Sequence, residues 1–258
     1  MKTLCPEYRI VSRINFLGRT CTAVDLSQII DTDDPTFTGH QRTLLWRHLS
    51  HRETQELGLT KPPYSYQVTG FTLCDHTGTH VDSINHVVDS PDARSVDLLP
   101  TEWFMCPGAW FDFSWKEPNA YITRSDFEKA IADTGVAIQP QSVVLYHTGW
   151  GALYRTDRFE YIRNYPGVDR SAMEYLTDLG AICVGADAPS IDSYNEVKFV
   201  REQPAHIVCR EREVLNIENL ANVNLIPSHE FWFIGLPLKL RGGTGSPFRG
   251  MALVPDEA

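Results

Sequence analysis

Four side chains able to bind a divalent metal ion lie within eleven residues of one another. His76, His80, Asp82 and His86 all belong to the segment HTGTHVDSINH. Imidazole and carboxylate groups are ligands that suit Zn²⁺, Mn²⁺ and Fe²⁺. A helix would place His76 and His80 on one face, but Gly78 and three β-branched neighbours disfavour a helix here.

A turn followed by a short strand brings the same groups together. At the strand period of two, His80 and Asp82 point to the same side, and Gly78 allows His76 to fold back over them. The spacing therefore predicts a metal site. The alternative is a solvated polar loop in which the histidines have no common role.

The elements around this segment are predicted to alternate between strands and helices with long irregular connections, which is typical of an α/β domain. Six runs rich in apolar and β-branched residues are predicted strands: 64–73, 107–113, 142–146, 181–187, 230–238 and 250–254.

Two helices are predicted from their boundary residues. Ser125, followed three residues later by Glu128, indicates a helix start, and Gly135 indicates its end. Asp169 and Gly180 delimit a second helix in the same way. A third is expected to begin near His206.

Residues 31–63 are polar and rich in proline, threonine and histidine. Because they lack apolar residues for a core of their own, we interpret them as an N-terminal arm or lid of a single domain spanning 1–258. Within this arm, residues 42–59 are predicted to form a short helix.

Composition excludes several classes of partner. The chain has 258 residues and a formal net charge of -10, which argues against nucleic acid or an anionic membrane. We expect no membrane span, because no apolar run reaches ~18 residues, and no secretory signal in residues 1–20. A cytoplasmic enzyme is therefore expected. The six cysteines form no C-x-x-C pair, so we expect buried free thiols.

Several motifs in order resemble one family. HTGTHVDSINH resembles the H-x-G-T-H-x-D-x-P-x-H signature of the cyclase-like metal hydrolases, which include bacterial kynurenine formamidases and isatin hydrolases. Four further segments resemble other parts of the family pattern: CTAVDLSQII, VVLYHTGWG, PGVDRSAMEYLTDLGAICVGADAPSID and LPLKLRGGTGSPFRGMAL. The resemblance covers residues 21–254. It implies an α/β fold of the swivelling β/β/α type, with a mixed sheet.

The resemblance also implies roles for individual residues. His76, His80 and Asp82 would bind a divalent metal, Zn or Mn, and Asp82 would bridge to a second ion held by His206 and Glu218. His86 matches the family's proton-transfer histidine. Apart from the resemblance, neither His206 nor Glu218 carries a signal for metal binding.

Four positions depart from the family pattern. Ile84 stands where proline is usual, Gln28 where histidine is frequent, His147 where arginine is frequent, and Thr244 where aspartate is usual. The implied ligand set is intact, so these departures bear on the substrate rather than on the metal.

The chemistry expected is hydrolysis of a small amide, lactam or related cyclic C–N bond. A divalent ion acts as a Lewis acid and lowers the pKa of water toward ~7, while His86 would carry the proton to the leaving nitrogen. One alternative is a metal-dependent cyclase or dehydratase acting on a polyketide-like substrate. Another is a binding module without catalysis.

A non-haem Fe(II) oxygenase is a third alternative. His80, Asp82 and His206 satisfy a two-histidine, one-carboxylate triad, and Arg210 or Arg212 would hold a 2-oxoacid. This hypothesis leaves His76 and His86 without a role.

The partner expected is a small, aromatic molecule. Five aromatic residues of the arm and its surroundings are candidates for the substrate pocket or for the core: Trp46, Tyr64, Tyr66, Phe71 and Trp103. The family resemblance further implies a homodimer or homotetramer.

Overall fold

A mixed β-sheet positions most of the residues considered above. The computed structural model describes residues 9–256. Its strands are β1 (Val11–Phe16), β2 (Arg19–Asp25), β3 (Leu44–Leu49), β4 (Val68–Thr72), β5 (His80–Asp82), β6 (Met105–Asp112), β7 (Tyr121–Ile122), β8 (Ser142–His147), β9 (Gly167–Val168), β10 (Ala181–Ala186), β11 (Leu215–Glu218), β12 (Glu230–Ile234), β13 (Gly245–Pro247) and β14 (Met251–Pro255).

The helices are short and lie between these strands. They are α1 (His51–Glu56), α2 (Arg124–Thr134), α3 (Leu153–Thr156), α4 (Arg158–Tyr161), α5 (Arg170–Asp178) and α6 (Pro204–Arg212), joined by short 3₁₀ turns and one π-helical turn at Glu196–Val200. No helix within residues 9–256 is long and apolar enough to cross a membrane.

Ten strands form one sheet in the order β1-β2-β14-β12-β6-β8-β10-β11-β5-β13. The four central strands β6, β8, β10 and β11 are parallel, and the flanking strands pair antiparallel. The predicted α/β class with a mixed sheet is therefore confirmed. Two smaller two-stranded sheets, β3 with β4 and β7 with β9, stand apart.

Alternation along the central strands creates a core on each face of the sheet. On β8, Val144 and Tyr146 pack into the core that contains α2, α5 and α6, whereas Val143 and Leu145 pack into the core on the opposite face. Since successive side chains of a strand point to opposite faces, an apolar run is what a central parallel strand requires.

The predicted helices occur, with one corrected boundary. Helix α5 begins after Asp169, whose side chain caps it, and it ends just before Gly180. Helix α2 ends at Gly135 as predicted, but Thr123 rather than Ser125 is its N-cap, paired with Asp126 in a capping box. Both Thr123–Asp126 and Ser125–Glu128 fit the sequence pattern, and Thr123 is the residue that directly follows β7 and has extended backbone angles.

The prediction of a helix over residues 42–59 is wrong in its first half. Residues 44–49 form β3, which pairs antiparallel with β4, and only residues 51–56 are helical. The pairing with β4 is distant in sequence, so the local pattern of residues 42–59 does not reveal it. Two predicted strands are also shorter than expected, since 64–73 narrows to 68–72 and 230–238 to 230–234.

Five cysteines lie in the described part of the chain, and all five are free thiols. Cys21, Cys106, Cys183 and Cys209 are buried, as predicted, and Cys74 is half-buried. Cys5 lies outside the described residues.

Candidate metal centre

Two neighbouring strands present four polar side chains to one face. In the antiparallel pairing of β5 with β11, His80 stands opposite Glu218 and Asp82 opposite Asn216. Val81 and Ile217, which form the pair between them, point to the opposite face of the sheet and are buried in the apolar core. The strand period of two thus places two carboxylates, an imidazole and an amide together.

His76 reaches the same place through a turn that depends on glycine. Gly78 adopts a left-handed conformation, with φ of 62°, which glycine tolerates without cost. A second close approach occurs at Gly245 on β13, where a Cβ would lie 2.8 Å from Cε1 of His76. The predicted turn before a short strand is therefore confirmed.

His206 enters from the first turn of α6. Pro204 begins this helix, and Asp192 accepts hydrogen bonds from the backbone N–H groups of Ala205 and His206 at 2.7 and 3.3 Å. The same carboxylate also contacts Nδ1 of His206. Asp192 thus fixes both the helix start and the orientation of the imidazole ring.

Asp82 is the centre of the cluster, and its two oxygens face different partners. Its Oδ1 lies 2.7 Å from Nδ1 of His76 and 3.3 Å from Nε2 of His80. Its Oδ2 lies 3.4 Å from Nε2 of His206 and 3.8 Å from Nε2 of His86. The ligand atoms of His76, His80 and Asp82 lie within 4.8 Å of one another, as do those of Asp82, His86 and His206.

Glu218 spans the same two groups. Its Oε2 lies 3.6 Å from Nε2 of His80, and its Oε1 lies 3.3 Å from Nε2 of His206. The structure therefore brings together all six residues singled out in the sequence. His86 has the most exposed side chain of the six, with 28% of its surface accessible.

The hydrogen bonds around the histidines fit a divalent cation. Nδ1 of His80 bonds to the carbonyl of Gly78 at 2.9 Å. Within residues 9–256, the buried Nε2 of His80 makes no hydrogen bond of regular geometry, although it lies 3.3 Å from Asp82 and 3.6 Å from Glu218. A buried nitrogen left unpaired is costly, and a metal ligand is the usual role of an imidazole held in this way. His206 is oriented in a similar way, with Nδ1 on Asp192 and Nε2 facing the carboxylates of Asp82 and Glu218. Its Nε2 also lies 3.3 Å from Nδ2 of Asn216.

The electrostatics of the site favour positive charge. Burial disfavours ionisation of Asp82, but the imidazoles of His206, His76 and His80 beside the carboxylate outweigh burial and hold the pKa of this carboxyl well below its usual range. Burial also opposes protonation of His80, yet Asp82 and Glu218 raise the pKa of His80 to about 9. Both shifts reflect buried carboxylates that require a cation beside them.

His86 follows the strand in a short 3₁₀ turn, Ile84–His86. Its ring lies 4.1 Å from the His76 ring, centroid to centroid. Burial lowers the pKa of His86, against the attraction of Asp82. A neutral imidazole at this place is able to accept a proton.

A cavity of about 320 Å³ opens onto the cluster. His76, His80, His86, His206 and Glu218 line it together with six apolar or aromatic residues: Pro35, Phe37, Val87, Tyr161, Ile162 and Pro189. Volume and lining are those of a small-molecule site. None of the five aromatic residues proposed from the sequence lines it; Trp46, Tyr64, Tyr66 and Phe71 are exposed instead.

The arm contributes part of this cavity wall. Pro35, Phe37 and His40 lie over the cluster, and the segment before them is attached by an ion pair of 3.0 Å between Arg155 and the buried Asp34. The rings of Phe37, His40 and His76 follow one another at centroid distances of 5.5 and 5.6 Å.

Sequence reasoning missed three residues that hold this centre. Asn216 donates to Asp82, Asp192 contacts His206, and Asn219 donates to the carbonyl of Gly78 at 2.9 Å. The sequence offers one signal for these residues: Asn216 and Glu218 are two positions apart, so in a strand their side chains point to the same face. Two of the departures from the family pattern also have partners, since Thr244 lies 2.8 Å from Nε2 of His76 and His147 lies 2.8 Å from Asp187.

Comparisons with known proteins agree with this architecture. A family model described as "Putative cyclase" matches residues 24–193. The isatin hydrolase of Roseibium aggregatum is 30% identical over 200 residues, which are 71% of this chain and 73% of that protein. The kynurenine formamidase of Salinibacter ruber is 24% identical over 234 residues, which are 88% and 95% of the two chains.

Solved structures share the fold. The crystal structure of an isatin hydrolase bound to the product analogue thioisatinate has a TM-score of 0.80 at 22% identity, covering 91% of this chain and 92% of that one. Isatin hydrolase A from Labrenzia aggregata, bound to benzyl benzoate, has a TM-score of 0.78 at 24% identity, covering 91% and 94%. The resemblance found in the sequence is thereby confirmed, and the chain belongs to the Cyclase family, together with isatin hydrolases and kynurenine formamidases.

Proposed function

We propose that this protein is a metal-dependent hydrolase that cleaves a small amide or lactam by addition of water to the carbonyl carbon. The observation that carries the proposal is the convergence of four histidines and Glu218 on Asp82 at the floor of a small cavity. A bound divalent cation supplies a Lewis acid and acidified water at such a site.

The side chains of the cluster would bind the metal. Five side chains would hold the metal: His76, His80, His206, Asp82 and Glu218. The two oxygens of Asp82 face separate sets of histidines, an arrangement that would suit two divalent ions per chain. The nitrogen and oxygen donor set suits Zn²⁺ or Mn²⁺.

His86 is proposed to carry the proton. It stands at the cavity wall beside Asp82, and burial favours its neutral form. A neutral imidazole can take a proton from water and return it to the nitrogen that leaves the carbonyl. Protonation of that nitrogen completes cleavage of the C–N bond. A linear amide gives a carboxylic acid and an amine, whereas a lactam opens to a single molecule that carries both groups.

The cavity favours an uncharged substrate with a flat ring. Within residues 9–256, no lysine or arginine lines it, so an anionic or zwitterionic substrate would find no matching cation there apart from the metal. Two aromatic residues, Phe37 and Tyr161, are among the residues that line the cavity. We therefore propose a neutral cyclic amide such as isatin in preference to N-formylkynurenine, which carries charged amino and carboxyl groups.

The oxygenase hypothesis requires an arginine in the cavity to bind a 2-oxoacid. Neither Arg210 nor Arg212 is among the residues that line the cavity. Arg212 instead pairs with Asp178 on the surface at 3.0 Å. Within residues 9–256, no lysine or arginine lines the cavity to pair with the carboxylate of a 2-oxoacid.

We also propose that the arm acts as a lid and that the enzyme works in the cytoplasm as a homodimer or homotetramer. The position of Phe37 and His40 over the cluster supports the lid. Apolar side chains exposed on the β3–β4 ribbon, Leu44, Trp46 and Phe71, support contact with a second copy. The five free thiols of the described residues fit a reducing compartment.

A substrate screen tests the proposal. Protein reconstituted with Zn²⁺ or Mn²⁺ is offered isatin, phthalimide, N-formylkynurenine and a carbamate, and bound metal is counted for each preparation. We expect two ions per chain and turnover of isatin or phthalimide above that of N-formylkynurenine. Metal-loaded protein that hydrolyses none of them would overturn the proposal.

A further inference from the structure

Gln203 is the one polar residue of the cavity wall whose side chain has no assigned partner among the described residues. It lines the cavity and is partly buried. Its backbone carbonyl accepts from the N–H of Ile207 at 2.9 Å, but no group within residues 9–256 hydrogen-bonds its carboxamide. A polar group left unpaired at a cavity wall is available to a ligand.

The other polar residues of the wall already have a function or a partner. Asn219 donates to the carbonyl of Gly78 and accepts from the hydroxyl of Tyr161 at 2.7 Å. The ring of His40 lies between those of Phe37 and His76. Four histidines and Glu218 belong to the metal centre.

Gln203 does not serve the helix that it precedes. It occupies the N-cap position of α6, where a side chain commonly accepts a backbone hydrogen bond, but its side chain makes none. Asp192 caps the helix in its place. The backbone of Gln203, which precedes Pro204, has φ of -135° and ψ of 69°, outside the helical region.

This arrangement places Gln203 in the wall of the cavity that also contains the metal centre. Gln203 lies three residues before His206, in the same capped turn, and proline at the next position restricts its backbone. A side chain in the cavity wall near a metal ligand can contact a part of the substrate other than the reacting carbonyl.

We propose that Gln203 is a specificity-determining residue that recognises a second polar group next to the scissile amide. A carboxamide both donates and accepts a hydrogen bond and carries no charge, which suits a neutral substrate. Lactams and imides with a further carbonyl, such as isatin and phthalimide, present that group, whereas a simple lactam or formanilide does not. This inference rests on the proposed function for its reacting centre.

A matched ligand pair tests the inference. Isatin and oxindole share a bicyclic lactam, and oxindole lacks the second carbonyl. Binding to the metal-loaded protein is measured by calorimetry in a His86→Ala background, where hydrolysis is expected to be slow, with and without Gln203→Leu. Glu202→Gln serves as control, because Glu202 is exposed in the same loop and does not line the cavity.

We expect Gln203→Leu to weaken isatin binding about five- to tenfold, the value of one neutral hydrogen bond, and oxindole binding less than twofold. Glu202→Gln should change neither. Equal effects on both ligands, no effect on isatin, or no binding of isatin to the parent would overturn the inference.

Turnover by protein with His86 intact separates this inference from the proposed function. If Gln203→Leu abolishes the preference for isatin in binding while no amide is hydrolysed, the recognition role stands and the hydrolase proposal fails. If amides are hydrolysed and the preference is unchanged, the hydrolase proposal stands and the role of Gln203 fails.

Discussion

Asn216 donates a hydrogen bond from Nδ2 to Oδ2 of Asp82 over 2.8 Å, and the two residues stand directly opposite each other on β11 and β5. The bond joins the carboxylate at the centre of the cluster to the neighbouring strand. Both side chains are buried, so water cannot replace the donor, and the orientation of Asp82 depends on this amide.

Replacement of Asn216 by leucine should therefore weaken metal binding. Loss of a hydrogen bond to a ligating carboxylate typically lowers metal affinity 10–100-fold. Competition with a chromophoric chelator measures the dissociation constant directly. An Asn216→Leu protein that folds and binds the metal as tightly as the wild type would show that the bond is incidental.

Asp192 has two roles that a mutation can separate: it caps helix α6, and it orients the proposed metal ligand His206. Asp192→Ala removes both the cap of α6 and the partner of His206, and we expect a loss of about 1 kcal/mol in unfolding free energy together with a 10–100-fold loss of metal affinity. Asp169→Ala is the matched control, because Asp169 caps α5 through the N–H of Ala172 at 2.8 Å. The control should lose stability alone, and an equal loss of metal affinity in both variants would contradict the role given to Asp192.

His86→Ala should slow the reaction without removing the metal. General acid–base help from a histidine is typically worth 10²–10⁴ in rate, so we expect kcat to fall by roughly that factor while metal content stays near that of the wild type. A substrate with a good leaving group should lose less, since it needs less protonation. Loss of the metal from His86→Ala would instead make His86 a ligand, as its position 3.8 Å from Asp82 also allows.

His147 gives the fold a pH dependence away from the metal centre. Burial lowers the pKa of this imidazole, but the hydrogen bond and charge of Asp187 outweigh burial and raise the pKa above its ordinary value of 6.5. Because the folded-state pKa is raised, the ion pair stabilises the fold fully below pH 6.5 and loses this contribution as pH rises through the folded pKa.

The corresponding measurement compares unfolding free energies of wild type and His147→Asn across this pH range. Below pH 6.5 we expect the wild type to be more stable by about 1.5 kcal/mol, the value of a hydrogen bond to a charged group. The difference should shrink as pH rises through the folded-state pKa of His147. A difference that stays constant with pH would mean that His147 is neutral in the folded protein.

The sequence allowed prediction of the site wherever a local pattern determines geometry. The period of two in His80 and Asp82, the glycine at 78 and the cap at Asp169 each depend on neighbouring residues only. The strand at 44–49 was missed because its partner lies at 68–72, and the local pattern suits a helix equally well. Long-range pairing decides such cases.

The supporting residues were missed for the same reason. Asn216 and Asp192 acquire their roles only when β11 meets β5 and when α6 begins beside residue 192. His206 and Glu218 were identified through the family resemblance, since neither position carries a signal without the register that places Glu218 opposite His80. The cavity wall formed by Phe37 and His40 depends likewise on contacts far apart in sequence.

The central claim is that hydrolysis depends on metal held around Asp82. The most direct measurement follows bound metal and the rate of isatin hydrolysis in the same samples, while a chelator removes the ion and Zn²⁺ or Mn²⁺ restores it, with Asp82→Ala alongside. We predict that the rate falls and recovers in proportion to bound metal and that Asp82→Ala neither binds metal nor turns over. Full activity in wild-type protein that contains no metal would contradict the account.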